Sequence, residues 1–264
     1  MILTQNNYMT FGLIIINFLS NRNKMRVLEL FSGTGSVGNV CKKYDWEVVS
    51  LDLKNADINC NILDWDYKVY PSDYFQCIWA SPPCDTFSVL RKSWIGRKLK
   101  CHNGEVCTHE LLQKDIDEIG LPLLKKTEEI IDYFKPKYWF IENPESSSMK
   151  DYIDKPHYIV DYCKYSNWGY QKRTIIWTNL EGFKPKTCNK DCNNMLYGRH
   201  IANMGCSKVV EDNGKYILCK TAKLREKYKE YPNVSNQNKL WKTLDSRYRI
   251  PPNLIQEMFD LISE

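Results

Sequence analysis

A chain of 264 residues, 43% hydrophobic and carrying a formal net charge of +5, is long enough for one large α/β domain with a real core and a small appendage. Its mild basicity agrees with a nucleic-acid partner but does not require one. Eleven cysteines, an odd number in no tight framework, exclude a secreted disulfide scaffold and point to a reducing compartment, the cytoplasm or the nucleus.

Residues 1–24 read as an extension ahead of the domain, or as a helix added to it. Within them FGLIIINFL (11–19) is too short to span a bilayer, and no Lys or Arg precedes it as a signal peptide would require. No membrane association is expected. Met25 opens MRVLELFSGTGS, where the folded pattern starts cleanly. RVLEL (26–30) predicts a buried strand, followed by a glycine-rich turn and a helix to about Tyr44. EVVSL (47–51) predicts a second strand ending in Asp52, and YFQCIWA (74–80) a third, ending in Ser81-Pro82-Pro83-Cys84.

The basic and polar stretch 91–109 reads as a mobile loop. Residues 110–134 favour helix, with a break at Gly120 and Pro122 and a stop at Pro136. YWFI (138–141) predicts a strand ending in Glu142-Asn143-Pro144, and RTIIWT (173–178) a later one. Strands alternating with helices predict a parallel, doubly wound, Rossmann-like α/β fold over residues 25–180. Residues 181–240 hold twelve Lys/Arg against six Asp/Glu, so the positive charge of the chain sits there. The closing stretch, 241–264, predicts an amphipathic helix entered through Pro251-Pro252 and returning to the domain.

Three motifs carry chemistry. Gly33-x-Gly35-x-x-Gly38 follows a strand and opens a helix, so the backbone can turn tightly against a nucleotide-like cofactor. Asp52 ends the next strand, where a carboxylate can accept both ribose hydroxyls, and Asp57 or Asn61 can meet an adenine amino group. NAD and S-adenosylmethionine share this geometry. Cys84 follows two stiff prolines at a strand end, the place for a nucleophile once its thiol is ionised. Glu142 at another strand end can stay protonated and donate to a ring nitrogen. Cys188, Cys192, His200 and Cys206 are zinc-ligand types, as are Cys101, His102, Cys107 and His109. Their spacing is irregular and lacks CxxC, so they read as incidental and no metal is expected.

Taken in order, LELFSGTGSVG, SLDL, SPPCDTFS, FIENP and GYQKRT resemble the motifs of the C5-type cytosine-specific DNA methyltransferases. YCKYSNWGYQKRTIIWTNL is similar to the compact phage and viral members. The resemblance covers about residues 26–180 and the C-terminal helix. It implies an S-adenosyl-L-methionine-dependent methyltransferase fold, with the cofactor held by Phe31, Gly33, Thr34, Gly35, Asp52, Leu53 and Asn61. It also implies a Cys84 thiolate adding to C6 of a flipped cytosine, Glu142 at N3, and Arg173 at the base O2. The partner would be double-stranded DNA, with RNA possible in one branch, and the protein a monomer. Arg91, Lys92, Arg97, Lys98 and Lys100 would contact phosphates from a closing loop, and the 181–240 segment would serve target recognition. Pro144 stands where the family has Val, Ile175 where it has a second Arg, and Cys60-Asn61-Ile62 where it has Gly-Asp-Ile. An RNA cytosine-C5 enzyme, a DNA amino-methyltransferase, a dinucleotide oxidoreductase and a catalytically silent DNA-binding relic are the alternatives.

Overall fold

A computed structural model describes residues 24–263 except 197, 202–207 and 234–247. Of the expected extension 1–24, residues 1–23 lie outside the described residues, as does Cys206. The main sheet has seven strands: β1 (Arg26–Leu30), β2 (Glu47–Asp52), β3 (Ile58–Asn59), β4 (Cys77–Ala80), β5 (Tyr138–Pro144), β6 (His157–Asp161) and β7 (Arg173–Thr178). They lie in the order β3-β2-β1-β4-β5-β7-β6. The first five pair in parallel, as a doubly wound sheet requires.

β7 departs from the all-parallel expectation by running antiparallel between β5 and β6. The link from Asp161 to Arg173 holds a 3-10 turn, Tyr162–Lys164, and no crossover helix, so the chain can only fold back on itself.

Helices cover both faces. On one, α1 (Ser36–Cys41) and the C-terminal helix, here α5 (Pro252–Asp260), bury Val37, Val40, Leu254, Met258 and Phe259 against Val27, Trp79, Phe140 and Ile176. α5 is tied to the glycine turn by Ile250 N–H donating to Ser36 Oγ at 3.1 Å. On the other face, α2 (His109–Asp115) runs through a π turn, Ile116–Gly120, into α3 (Leu121–Phe134). Leu124, Ile130, Ile131 and Phe134 pack there on Leu28, Ile78, Ile141 and Trp177.

The expected break at Gly120 and Pro122 is therefore a π turn inside continuous helix. Pro122 sits in the first turn of α3, where its missing N–H costs nothing. Beyond the sheet, a hairpin of Val209–Asp212 and Lys215–Leu218 with α4 (Ala222–Lys227) encloses a small core of Val210, Cys219 and Tyr228. No helix among the described residues is long and apolar enough to cross a membrane.

Register places the site. Leu30 is level with Leu51 and Ala80, and Ala80 with Ile141. The residues that follow, Phe31, Asp52, Ser81 and Glu142, therefore line one edge of the sheet at the C-terminal strand ends, where ligands bind in such folds.

Candidate active site

The turn after β1 is built for close approach. Phe31, Gly33 and Gly35 all have positive φ, at 58°, 50° and 65°, and Gly35 opens α1. Phe31 is the one non-glycine among them, a strained conformation of the kind that collects at ligand sites. Asp52 braces the turn: one carboxylate oxygen accepts from Gly33 N–H at 2.8 Å and the other from Leu53 N–H at 2.6 Å. Leu53 is 72% exposed beside it. Asn61 caps a 3-10 turn, its side-chain oxygen accepting from Leu63 N–H at 3.1 Å. Asp57 is turned onto Ser50, whose hydroxyl and N–H hold its carboxyl below the usual range. Thr34 is exposed within the turn, its hydroxyl 3.0 Å from Ser36 Oγ.

Sequence reasoning passed over Glu29, which is 3% exposed under this turn. Its carboxyl accepts from Val37 and Gly38 N–H at 3.1 and 2.9 Å, fixing the start of α1. Burial pushes it up to about 7 against those two hydrogen bonds. A charged residue inside the apolar run RVLEL is the signal that marked it.

Cys84 and Glu142 come together. The loop carrying Cys84 is tied to the Glu142 strand by Asn143 Nδ2, which donates to the Pro82 carbonyl at 2.9 Å. Ser148 N–H and Oγ both donate to the Phe87 carbonyl. Burial, then Asp85 and Glu142, raise the Cys84 thiol; the Lys172 ammonium opposes them. Glu142 is buried and accepts from Tyr162 OH at 2.6 Å, and Lys172 Nζ stands 3.6 Å from the same oxygen. Lys172 Nζ also lies 4.8 Å over the Tyr162 ring. The thiol, the carboxyl and one cation thus lie close enough to act on one another electrostatically.

Arg173 is held elsewhere. Its guanidinium donates to both carboxylate oxygens of Asp161, Nε at 3.1 Å and Nη2 at 2.9 Å. Glu142 is level with Ile176, so Arg173, three residues from Ile176, projects from the opposite sheet face. Lys172 and Tyr162, not anticipated from sequence, stand beside Glu142 in its place. Arg91 requires correction as well. It is buried in an ion pair with Asp115, which also meets His102 Nε2 at 3.0 Å, so it does not reach out to phosphate. Lys92, Arg97, Lys98 and Lys100 are exposed on the same loop, which is a short hairpin, Lys98–Leu99 with Glu105–Val106. Cys101, His102, Cys107 and His109 form no ligand cluster among the described residues.

No family model matches the sequence. The chain is 40% identical over 242 residues to a "Probable DNA (cytosine-5)-methyltransferase" of Frog virus 3 (isolate Goorha), covering 90% of this chain and all of that one. Among solved structures, a mutant DNMT2 from Spodoptera frugiperda superposes with a TM-score of 0.39 at 18% identity, over 62% of this chain; the match spans 53% of that protein. The viral relative, aligned along its whole length, decides the assignment: this chain belongs to the DNA (cytosine-5)-methyltransferase family.

Proposed function

We propose that this protein transfers a methyl group from S-adenosyl-L-methionine to C5 of a cytosine flipped out of double-stranded DNA, with Cys84 as nucleophile. The observation that carries the reading is the meeting of Cys84, Glu142 and Lys172 at adjoining strand ends.

The cofactor fits the cradle after β1. Positive φ at Phe31, Gly33 and Gly35 opens the backbone, Asp52 keeps lone pairs for ribose hydroxyls, and Leu53 offers an apolar face to the adenine. Thr34 and Asn61 complete the lining. When bound, it supplies an electrophilic methyl group.

Cytosine C5 is too weak a nucleophile unaided. The Cys84 thiolate adds to C6, and electron density moves through the ring to C5. Glu142 shares a proton with N3 and offsets the charge that builds there. Tyr162 and Lys172 hold the Glu142 carboxyl in position. After methylation a base removes the C5 proton, the C6–S bond breaks, and the thiolate leaves. Arg173, held by Asp161, orders the start of β7 from the far face of the sheet. The base must leave the duplex to reach a thiol seated at a strand end. Lys92, Arg97, Lys98 and Lys100, with the basic 181–240 segment, would carry the phosphate contacts, so binding is expected to weaken steeply with salt. A monomer acting in the host cytoplasm or nucleus suffices for this chemistry.

Nucleoside mass spectrometry after incubation with labelled cofactor and, separately, DNA and RNA tests the reading. 5-Methylcytosine in DNA, abolished by Cys84→Ser, is the expected result. N4-methylcytosine or N6-methyladenine would reduce Cys84 to a pocket wall. 5-Methylcytosine confined to RNA would replace the substrate, and cofactor binding without transfer would leave a silent DNA-binding protein.

A further inference from the structure

We propose that Cys163, Cys188, Cys192 and His200 form a structural zinc site that joins the end of β6 to the start of the basic segment. The four side chains offer one ligand atom each, and all four atoms lie within 4.8 Å of one another. His200 Nε2 is 3.5 Å from Cys188 Sγ and 3.4 Å from Cys192 Sγ. A tetrahedral ion with Zn–S near 2.3 Å and Zn–N near 2.0 Å needs S···N separations of about 3.5 Å and S···S separations of about 3.8 Å. Cys163, Cys188 and His200 are buried and Cys192 half-buried, so the site is closed, as structural zinc sites are.

The surroundings point to the ligand as well. Cys188 and Cys192 are separated by three residues, a normal pair spacing for zinc. Asn194 ties the cysteine loop to the stretch that follows β6: Nδ2 donates to the Cys163 and Ser166 carbonyls, and Oδ1 accepts from Gly169 N–H. Asp161 Oδ2 accepts from Cys188 N–H at 2.6 Å while holding Arg173, and Oδ1 accepts from Gln171 Nε2 at 3.0 Å. The zinc loop is thereby connected to the segment that presents Lys172 to Glu142.

The spacing alone had grouped Cys206 with these residues and suggested incidental thiols. The missing ligand is Cys163, twenty-five residues upstream of Cys188 and brought in by β6.

The test is zinc content of the full-length chain purified under reducing conditions without chelator, with X-ray absorption at the zinc edge. About one zinc per chain, bound by roughly three sulfurs at 2.3 Å and one nitrogen, is expected. Cys163→Ser should lose at least tenfold in zinc affinity while Cys206→Ser keeps it. A chain that retains no zinc after reconstitution with zinc chloride and desalting overturns the proposal. So does a bound ion with only nitrogen and oxygen neighbours, or zinc lost in Cys206→Ser and kept in Cys163→Ser. If Cys163→Ser does not fold, the wild-type absorption spectrum decides alone.

Discussion

Gly120→Ala separates two opposing effects of known size. Gly120 ends the π turn with φ −68° and ψ −52°, ordinary helix, so its backbone does not need glycine. On propensity and unfolded-state entropy alone, alanine would stabilise by about 1 kcal/mol. Space argues the other way. A Cβ there would lie 2.3 Å from Thr86 Oγ1 and 2.8 Å from two ring carbons of Phe87, where ordinary contact begins at 3.4 Å. The Phe87 ring is 1% exposed, and its carbonyl takes both Ser148 hydrogen bonds, so it cannot step aside. Overpacking of this kind costs roughly 1–3 kcal/mol, and three simultaneous clashes place it near the top. The net expectation is a loss of about 2 kcal/mol, read as a lowered urea midpoint with an unchanged slope. Because Thr86 and Phe87 lie two and three residues after Cys84, alkylation of the Cys84 thiol by iodoacetamide should change as well. Phe87→Leu in the same chain should recover a large part of the loss, since the two positions touch. A Gly120→Ala variant as stable as wild type, or more so, would refute the reasoning, because only the clash opposes the alanine gain.

Two further outcomes follow from buried charges. Glu29 titrates near 7 in the folded chain against an ordinary 4.5, because burial outweighs its two backbone hydrogen bonds. The folded state therefore binds more protons than the unfolded state between these values. The contribution to stability is complete below 4.5 and is lost as pH rises through 7, by about 3 kcal/mol. Glu29→Gln should flatten that part of the stability profile, and urea midpoints at pH 5 and 7.5 that fall in parallel for both chains would reject it. Lys172→Met removes the cation that opposes burial at Cys84, so the thiol should move further up and its alkylation rate at pH 7 should drop. Methylation should fall by about 10²-fold, the usual cost of losing one preorganised electrostatic partner; unchanged alkylation and turnover would remove Lys172 from the site.

Much of the scaffold was legible because it depends on local pattern. Apolar runs marked β1, β2, β4, β5 and β7, and Pro251-Pro252 marked the entry to α5. Each run ended in a polar motif, which is why Asp52, Cys84 and Glu142 could be placed before any coordinates. Elements defined by long-range contact were not legible. β6, His157–Asp161, is short and has its inner end buried only because β7 folds back on it. Arg91 reads the same in sequence whether it faces phosphate or Asp115, its partner from another element. Gly120 and Pro122 looked like one break, yet they do different work: Gly120 leaves room for the Cys84 loop, and Pro122 sits where a first helical turn accepts it.

The exchange of Arg173 for Lys172 shows where such reading stops. Arg173 opens β7 while Lys172 stands just before the strand, so the two neighbours in GYQKRT leave the chain in different directions and a one-residue difference decides which reaches Glu142. That choice is made by Asp161. It is level with Arg173 across the β6–β7 pair and wholly buried, so its charge requires a partner, and the nearest guanidinium supplies it. With Arg173 held there, Lys172, in a left-handed conformation at φ 37°, is the cation turned toward Glu142 and Cys84. The same Asp161 oxygen fixes Cys188, so the cysteine loop and the start of β7 share one anchor on β6. A strand that periodicity did not reveal thus determines which cation stands beside Glu142.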